Sequence, residues 1–158
     1  MNIATKLATI AITAVCFSGC ISDENDSTNN ACQSAAACKE FAQSKMSTFQ
    51  GLVTKMDSGY VISNSTIGNS SFSILTFTLK LDSSIDSSKA YSFHEKASSS
   101  YSSDSKFYIV YRTLAPSVSN DSVYADLDKS YSSILPYGTG YEKITDNWYI
   151  AVESPNQN

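Results

Sequence analysis

Residues 71–81 read SFSILTFTLKL and carry the clearest strand pattern in the chain. Successive side chains on a strand point to opposite faces, so residues two apart share a face. One face of this run carries Leu75, Phe77, Leu79 and Leu81, and the other carries Thr76, Thr78 and Lys80. The alternation therefore predicts a β-strand with one apolar face.

Further strand patterns lie on both sides of this run. Segments rich in aromatic and β-branched residues predict strands at 90–96, 106–114, 141–144 and 148–152. The pair Asp146-Asn147 predicts a hairpin turn between the last two of them. Earlier in the chain, Asp57-Ser58-Gly59 predicts a turn between two short strands, at residues 52–53 and 60–62.

Two segments have helical spacing instead. Residues 35–46 are rich in alanine, with apolar positions at Cys38, Phe41, Ala42 and Met46. A second helix is predicted near residues 121–134, capped by Asn120 or Asp121. Its side chains in helical register are Val123, Tyr124, Leu127, Tyr131 and Ile134. This order of elements predicts a small single α+β domain, in which both helices pack on a mostly antiparallel sheet of five to seven strands.

The first twenty residues have the pattern of an export signal. Lys6 precedes an apolar run over residues 7–17, which is shorter than the roughly 20 residues of a membrane-spanning helix. The run ends in Phe17-Ser18-Gly19-Cys20, which resembles the lipobox of bacterial lipoproteins. The resemblance implies that Cys20 is acylated and becomes the first residue of the mature protein. Because Ile21 follows it, the sorting rule of these lipoproteins implies the outer membrane of a Gram-negative cell, facing the periplasm or the surface.

This resemblance divides the chain into four parts. Residues 1–19 are a cleaved signal peptide, 20–31 a lipidated cysteine with a flexible acidic tether, 32–154 the folded domain, and 155–158 a polar tail. The formal net charge is −4, and loss of Lys6 makes the mature chain one unit more negative. An acidic chain with no cluster of Lys and Arg lacks the footprint of a nucleic-acid binder. Membrane attachment is therefore expected through acyl chains.

This division of the chain predicts a role for each of the four cysteines. Cys16 leaves with the signal and Cys20 takes the lipid, so Cys32 and Cys38 remain as a pair in an oxidising compartment, where a disulfide is expected. Six residues along one helix would separate their Cα atoms by about 9 Å, which is beyond the reach of a disulfide. Cys32 is therefore expected before the helix, with Ser34 as its N-cap. A metal-binding pair is the alternative, which the spacing disfavours because it is not CxxC.

Catalytic patterns are weak. His94 is the only histidine, and strand alternation places it on the face opposite Tyr91 and Phe93, without a serine-elbow motif elsewhere in the sequence. Glu142 and Glu153 lie on the two arms of the terminal hairpin and could converge as an acid/base pair. Ordinary surface residues explain both patterns equally simply, so we predict no catalytic residue, no metal and no cofactor.

Aromatic residues concentrate in the second half of the chain. Nine of the ten tyrosines lie between Tyr91 and Tyr149, and the strands there have large side chains on both faces. Either helices cover both faces of the sheet, or one face offers an aromatic surface to a glycan, a peptide or a protein. The binding interpretation assigns contacts to Tyr108, Arg112, Tyr137 and Tyr149.

These features predict a membrane-tethered envelope lipoprotein that acts as a non-catalytic binding or assembly module, such as a pilotin-like chaperone or an accessory subunit. Its partner is expected to be an envelope protein or a glycan. A tether raises the local concentration of the domain, so a weak interface suffices. The alternatives are an envelope hydrolase that acts on glycan or peptide, and an inhibitor or exclusion lipoprotein, which differs only in its partner.

Overall fold

The computed structural model describes residues 30–80, 87–97, 106–116 and 121–155. The predicted signal peptide, Cys20 and nearly all of the tether lie outside these ranges. The helices are α1 (Ala35–Ser44), α2 (Met46–Asp57) and α3 (Leu127–Ser130), and a 3₁₀ turn follows at Tyr131–Ser133. The strands are β1 (Asn64–Ile67), β2 (Ser70–Lys80), β3 (Ser87–Glu95), β4 (Tyr108–Arg112), β5 (Asp121–Tyr124), β6 (Thr139–Thr145) and β7 (Trp148–Glu153).

The seven strands of the described residues form one sheet in the order β1-β2-β3-β4-β7-β6-β5. Neighbouring strands run antiparallel except β5 and β6, which run parallel. A parallel pair needs a connection that returns along the sheet, and α3 with the 3₁₀ turn lies in that connection. The predicted fold class, a small α+β domain with helices on a mostly antiparallel sheet, is confirmed.

The start of α1 has the predicted construction. Cys32 lies in the turn before the helix and Cys38 in its first turns, and the two form a disulfide with their Cα atoms 4.0 Å apart. Ser34 is the N-cap, and its hydroxyl accepts a hydrogen bond from the backbone N–H of Ala37 at 3.1 Å. The disulfide and the cap together hold the helix start to the segment that precedes it.

Two carboxylates tie this region to the rest of the domain. Glu95, at the end of β3, accepts hydrogen bonds from the backbone N–H groups of Ala31 and Cys32, both at 2.8 Å. Asp128, on α3, accepts from the first two amides of α1 at 2.8 and 3.0 Å. N–H groups at a helix start have no partner within the helix, so Asp128 provides one from another element.

Helices α1 and α2 pack on one face of the sheet, the helix face. Phe49 of α2 is fully buried there. Its ring makes edge contacts with Phe72, Phe93 and Trp148 of three different strands, at centroid distances of 5.8, 5.1 and 5.9 Å. Edge-to-face packing of this kind adds about 0.5–1.5 kcal/mol per pair beyond the area that it buries. Phe49 therefore holds α2 to the centre of the sheet.

The strand predicted at residues 52–53 is wrong, because these residues lie inside α2. Phe49, Val53 and Met56 recur at helical intervals and all face the sheet. This longer pattern outweighs the strand propensity of the pair Leu52-Val53. Residues 60–62 also lie outside any strand. The predicted turn is present directly after α2, with Gly59 at φ 97°, a backbone region that favours glycine.

The helix predicted near residues 121–134 is present but shorter. Its helical part covers 127–133 and is capped by Asp126, whose side chain accepts from the Lys129 N–H at 3.1 Å. Residues 121–124 form β5 instead and pair with β6. Val123 and Tyr124 favour a strand as much as a helix, and backbone pairing with a neighbouring strand decides between them.

The apolar residues that identify β2 do not face the helices. Phe72 and Ile74 supply the core contacts of this strand, whereas Leu75, Phe77 and Leu79 share the opposite side, which we call the second face. Leu75 is 56% exposed there, and Leu81 lies outside the described residues. The predicted alternation is therefore correct, but its first residues, rather than its leucines, enter the main core.

The sheet curls toward its second face. Arg112 on β4 and Asp121 on β5 belong to this face, and their side chains form an ion pair at 3.4 Å. β4 and β5 are three strand spacings apart in the sheet. The strand register also offsets the two residues by about six positions along the strand direction. In a flat sheet their Cα atoms would lie more than about 20 Å apart, which is further than the two side chains reach. The second face is therefore the inner face of the curl.

Candidate binding site on the second face

A second, smaller core occupies the middle of the second face. Val110, Tyr141, Tyr149 and Ala151 are buried there, although α1 and α2 pack on the other side. The rings of Tyr141 and Tyr149 meet edge to face, with centroids 6.0 Å apart. Large side chains on the two faces of these strands thus belong to two cores. Packing in these cores explains part of the aromatic pattern of the sequence.

A cleft of about 260 Å³ opens where β3 and β7 end and β4 begins. Antiparallel pairing brings these three strand ends together, because each strand enters where its neighbour leaves. The cleft is lined by His94, Lys106, Tyr108, Tyr131, Val152 and Glu153. His94, Tyr108 and Glu153 belong to the second face, whereas Val152 and Tyr131 pack with the helix-face core. The cleft therefore lies at the end of the sheet; we call it the second-face cleft after its stacked rings.

The His94 and Tyr108 rings form one wall of the cleft. They stack in near-parallel fashion at a centroid distance of 4.3 Å. The His94 Nε2 atom lies 2.9 Å from the Ser92 hydroxyl. Burial raises the pKa of the Tyr108 hydroxyl well above its usual value, and the charges of Tyr141 and Glu153 raise it further. The phenol therefore stays protonated, and able to donate a hydrogen bond, at any physiological pH.

Lys106 forms the opposite, cationic side of the cleft. Its ammonium group lies 3.8 Å from the ring centroid of Tyr131 and 4.9 Å from that of Phe107. A cation over an aromatic face gains about 0.5–1 kcal/mol at an exposed site. The Lys106 side chain is exposed, so its charge is held in place by the rings and is still open to a ligand.

Arg112 is placed on the second face, as the binding interpretation requires, but it is 3% exposed. Its guanidinium donates to the carbonyls of Leu114 and Ala115, pairs with Asp121, and lies 5.1 Å from the ring centroid of Tyr141. These contacts occupy the charged group within the fold. Arg112 therefore fixes the segment after β4 across the curled face and is not free to touch a ligand.

The other predicted contacts lie in different surroundings. Tyr108 and Tyr149 are on the second face, in neighbouring strands, with Tyr149 largely buried. Tyr137 lies in the turn before β6 and is 69% exposed, at φ 58°. A bulky residue rarely adopts this left-handed backbone, and such strain concentrates where a side chain must be displayed. The turn is joined to the end of β7 by a hydrogen bond from the Ser154 N–H to the Gly138 carbonyl.

Among the described residues, the hydroxyl that lies near His94 is not an accessible nucleophile. Ser92 is near enough for a Ser–His pair, but it is 3% exposed and its backbone lies between β2 and β4 in the ladder. The neighbouring N–H groups are therefore committed to the sheet and cannot stabilise an oxyanion. Glu142 and Glu153, which the sequence left open as an acid/base pair, do not converge. Glu142 points to the helix face and Glu153 to the second face. Side chains alternate between the two faces along paired strands, and the register of the hairpin puts these two residues on opposite faces.

A larger cleft, of about 480 Å³, lies between α1 and α3 on the helix side. Glu142 in its wall accepts from Lys39 at 2.7 Å and from the Leu127 N–H at 2.9 Å. Asp128 caps α1, as described above. Asp126 pairs with Lys129 at 2.7 Å, and the hydrogen bonds from Lys129 lower the pKa of Asp126. Glu142 and Asp128 thus join elements of the fold to each other, and Asp126 caps α3, so all three acids have structural roles.

Of the six residues that line the second-face cleft, the sequence assigned only Tyr108 to binding. Lys106 and Tyr131 belong to segments that are 25 residues apart in the chain, and Glu153 was considered only as a partner of Glu142. Only the order of the strands in the sheet could have indicated these residues. A prediction that β4 pairs antiparallel with β7 would have brought the start of β4 and the end of β7 together at this end of the sheet.

Comparison of the chain with protein-family models, curated proteins and solved structures finds no match. Within the described ranges, no helix is long and apolar enough to span a bilayer, and no group of three or more histidine, cysteine or carboxylate side chains has the arrangement of a metal site.

Proposed function

We propose that this protein is a lipid-anchored envelope module that binds a protein partner at the second-face cleft and catalyses no reaction. The observation that carries the proposal is the cleft itself, whose lining combines the stacked His94 and Tyr108 rings with the exposed side chain of Lys106 and with Glu153. A polypeptide segment offers backbone groups and charges of both signs, which match such a lining. A neutral glycan would stack on the rings and hydrogen-bond to the polar groups, but it offers no charge to pair with either Lys106 or Glu153.

The way the domain begins supports an anchor upstream of it. The proposed tether enters the fold at Ala31 and Cys32, and both backbone N–H groups are bonded to Glu95. The disulfide to Cys38 adds a covalent link directly after this point. A domain attached to a membrane through its N-terminus transmits any pull on the tether to these residues. Their fixation is consistent with the lipobox pattern at Cys20.

The proposal is tested by site-specific photo-crosslinking in intact cells, with the photoreactive side chain at Lys106 or Tyr137. Both side chains are exposed, Lys106 in the cleft and Tyr137 in the turn joined to β7. The matched control position is Thr54, which is exposed on α2 at the other side of the sheet. We expect one protein adduct from Lys106 and Tyr137 that is absent from Thr54. Adducts of equal yield at all three positions would contradict a binding site on the second face.

The same strains test the anchor when Cys20 is replaced by serine. We expect Cys20→Ser to abolish metabolic labelling with palmitate, to release the protein from the membrane fraction and to reduce the adduct yield at Lys106. Unchanged palmitate labelling would refute lipidation at Cys20. An unchanged adduct from a released protein would show binding without the anchor, so the two parts of the proposal fail separately.

A further inference from the structure

The outer edge of β2 is only partly covered. In the pairing of β1 with β2, Ile67 lies opposite Ser70 at one end and Asn64 lies opposite Ser73 at the other. One more hydrogen bond joins the Ile74 N–H to the Ser63 carbonyl at 2.8 Å. Among the described residues, no backbone group pairs with this edge beyond Ile74. Because N–H and C=O groups of alternate residues point the same way, Thr76 and Thr78 direct both groups outward. Residues 75–79 therefore present an edge with which no strand of the described ranges pairs.

Apolar side chains are exposed beside this edge. Leu75 is 56% exposed, and Tyr60 and Val61, in the segment that leads from α2 to β1, are 68% and 97% exposed. Phe77 and Leu79 are half-buried on the same face as Leu75. An unpaired edge flanked by exposed apolar residues is a template for another strand.

The sequence of the edge is complementary to itself. We infer that two copies of this chain associate through antiparallel pairing of β2 with β2, about a two-fold axis at Phe77. In this register Phe77 lies opposite Phe77 of the second copy, Leu75 opposite Leu79, and Thr76 opposite Thr78. Apolar residues thus meet apolar residues on the second face, and threonines meet threonines on the helix face, both of which are favourable cross-strand pairs.

Backbone bonding agrees with this register. Thr76 and Thr78 are the residues whose N–H and C=O groups point outward, and the register places each opposite the other in the second copy. Each copy then donates from both residues and accepts at both, so every outward group over 75–79 is satisfied. A centre at Thr76 would pair Thr78 with Ile74, whose N–H is already bonded to Ser63. The centre at Phe77 keeps its hydrogen-bonded pairs within 75–79, and Lys80, which comes opposite Ile74, stays outside the pairing. A two-fold contact of this kind is closed and stops at a dimer.

Engineered cysteines test the register in the full-length protein in intact cells, with a mild oxidant added. Leu75 and Leu79 of the second copy would be a non-hydrogen-bonded pair with Cα atoms about 4.5 Å apart, within reach of a disulfide. The double variant Leu75→Cys/Leu79→Cys should therefore form at least about tenfold more covalent dimer than either single variant, in which equivalent cysteines would lie about 13 Å apart. Peptide mapping should place the bridge between residues 75 and 79.

Co-expression of the two single variants should restore the crosslink as a mixed dimer. A double variant that stays monomeric, or single variants that crosslink as strongly as the double, would overturn the inference. Crosslinking of the double variant only to a different protein would also overturn it, in favour of an added strand from that protein. None of these outcomes depends on the second-face cleft or on Cys20.

Charge substitutions provide a second readout that needs no thiol. Leu75→Lys/Leu79→Lys places two positive charges opposite each other across the axis, and Leu75→Lys/Leu79→Glu places opposite charges there. Both variants make the edge equally polar, so they share any cost to folding. We expect loss of the dimer, measured by crosslinking with a lysine-independent reagent, in the first variant and its retention in the second. Equal dimer fractions in both would contradict the proposed register.

Discussion

Glu95 connects the end of β3 to the first residues of the domain, and its side chain is 2% exposed. A buried carboxylate is costly unless hydrogen bonds satisfy it, and the amides of Ala31 and Cys32 do so from 2.8 Å each. The same bonds satisfy two N–H groups that lie before the first helix. The stability of this corner therefore depends on one side chain more than 60 residues away in the sequence.

We expect Glu95→Ala to lower the free energy of unfolding by about 2–4 kcal/mol, because it leaves buried N–H groups without an acceptor. Glu95→Gln keeps one carbonyl oxygen and should cost roughly half as much. Urea denaturation of the purified domain measures both values. Glu40→Ala, at an exposed position of α1, is the control and should stay within about 0.5 kcal/mol of the parent. A similar loss in all three variants would contradict this role of Glu95.

At the scale of elements, α3 and the 3₁₀ turn pack closely against β6. A side chain on Gly140 would place its Cβ 2.6 Å from Ile134 Cδ1 and 2.8 Å from Leu127 Cδ1. Both of those residues are buried, so neither can move without opening the core. The absence of a side chain at Gly140 thus sets how near this short helical segment lies to the sheet.

Gly140→Ala should therefore destabilise the domain by about 1–3 kcal/mol through overpacking. Gly51 in α2 offers the opposite case, because a Cβ there meets nothing within 4 Å. Gly51→Ala should add up to about 1 kcal/mol, since alanine favours the helix interior more than glycine does. Thermal and urea denaturation of the two variants should give opposite signs. Destabilisation by both substitutions would refute this view of the contact between α3 and β6.

The sequence predicts the helices and strands of this fold better than it predicts which of them pack or pair with each other. Period-2 alternation identifies β2 and β3, and the order of types gives the α+β class, because these are local properties of the chain. The strand prediction at residues 52–53 failed because it rested on a two-residue apolar pair and left out the helical pattern over Phe49, Val53 and Met56. Which face of β2 enters the core depends on where α1 and α2 pack, and that is a property of the tertiary structure.

In the candidate site too, local features could be predicted from the sequence and tertiary contacts could not. Alternation correctly places His94 on the face opposite Tyr91 and Phe93, but its stacking on Tyr108 requires the register of β3 with β4, which a single sequence does not give. Arg112 looked available because an arginine beside tyrosines is typical of a binding surface. Its contacts with Leu114, Ala115 and Asp121 depend on the curl of the sheet, which follows from the whole set of strands.

At the scale of the whole molecule, the proposed dimer and the proposed lipid-anchored tether together would fix an orientation. In each copy the tether enters at Ala31 and Cys32, on the helix face, where Glu95 holds them. A two-fold axis normal to the sheet leaves the helix faces of both copies on one side. Two lipid anchors that leave from the same side can enter one membrane without a rearrangement of the domains. The helix face then lies toward the membrane, and the second face with its cleft points away from it.

This orientation is measurable by energy transfer in lipid vesicles that carry the full-length lipidated protein. A donor dye at Thr54→Cys, on the exposed side of α2, should transfer more strongly to acceptor lipids than one at Lys143→Cys, on the second face of β6. In the Leu75→Lys/Leu79→Lys background the difference should disappear, because a tether of ten residues, reaching up to about 33 Å, allows a single domain to turn over. Leu75→Lys/Leu79→Glu should retain the difference. Stronger transfer from Lys143→Cys in the parent protein would mean that the cleft faces the lipid, and a binding site for an envelope protein could not then be placed there.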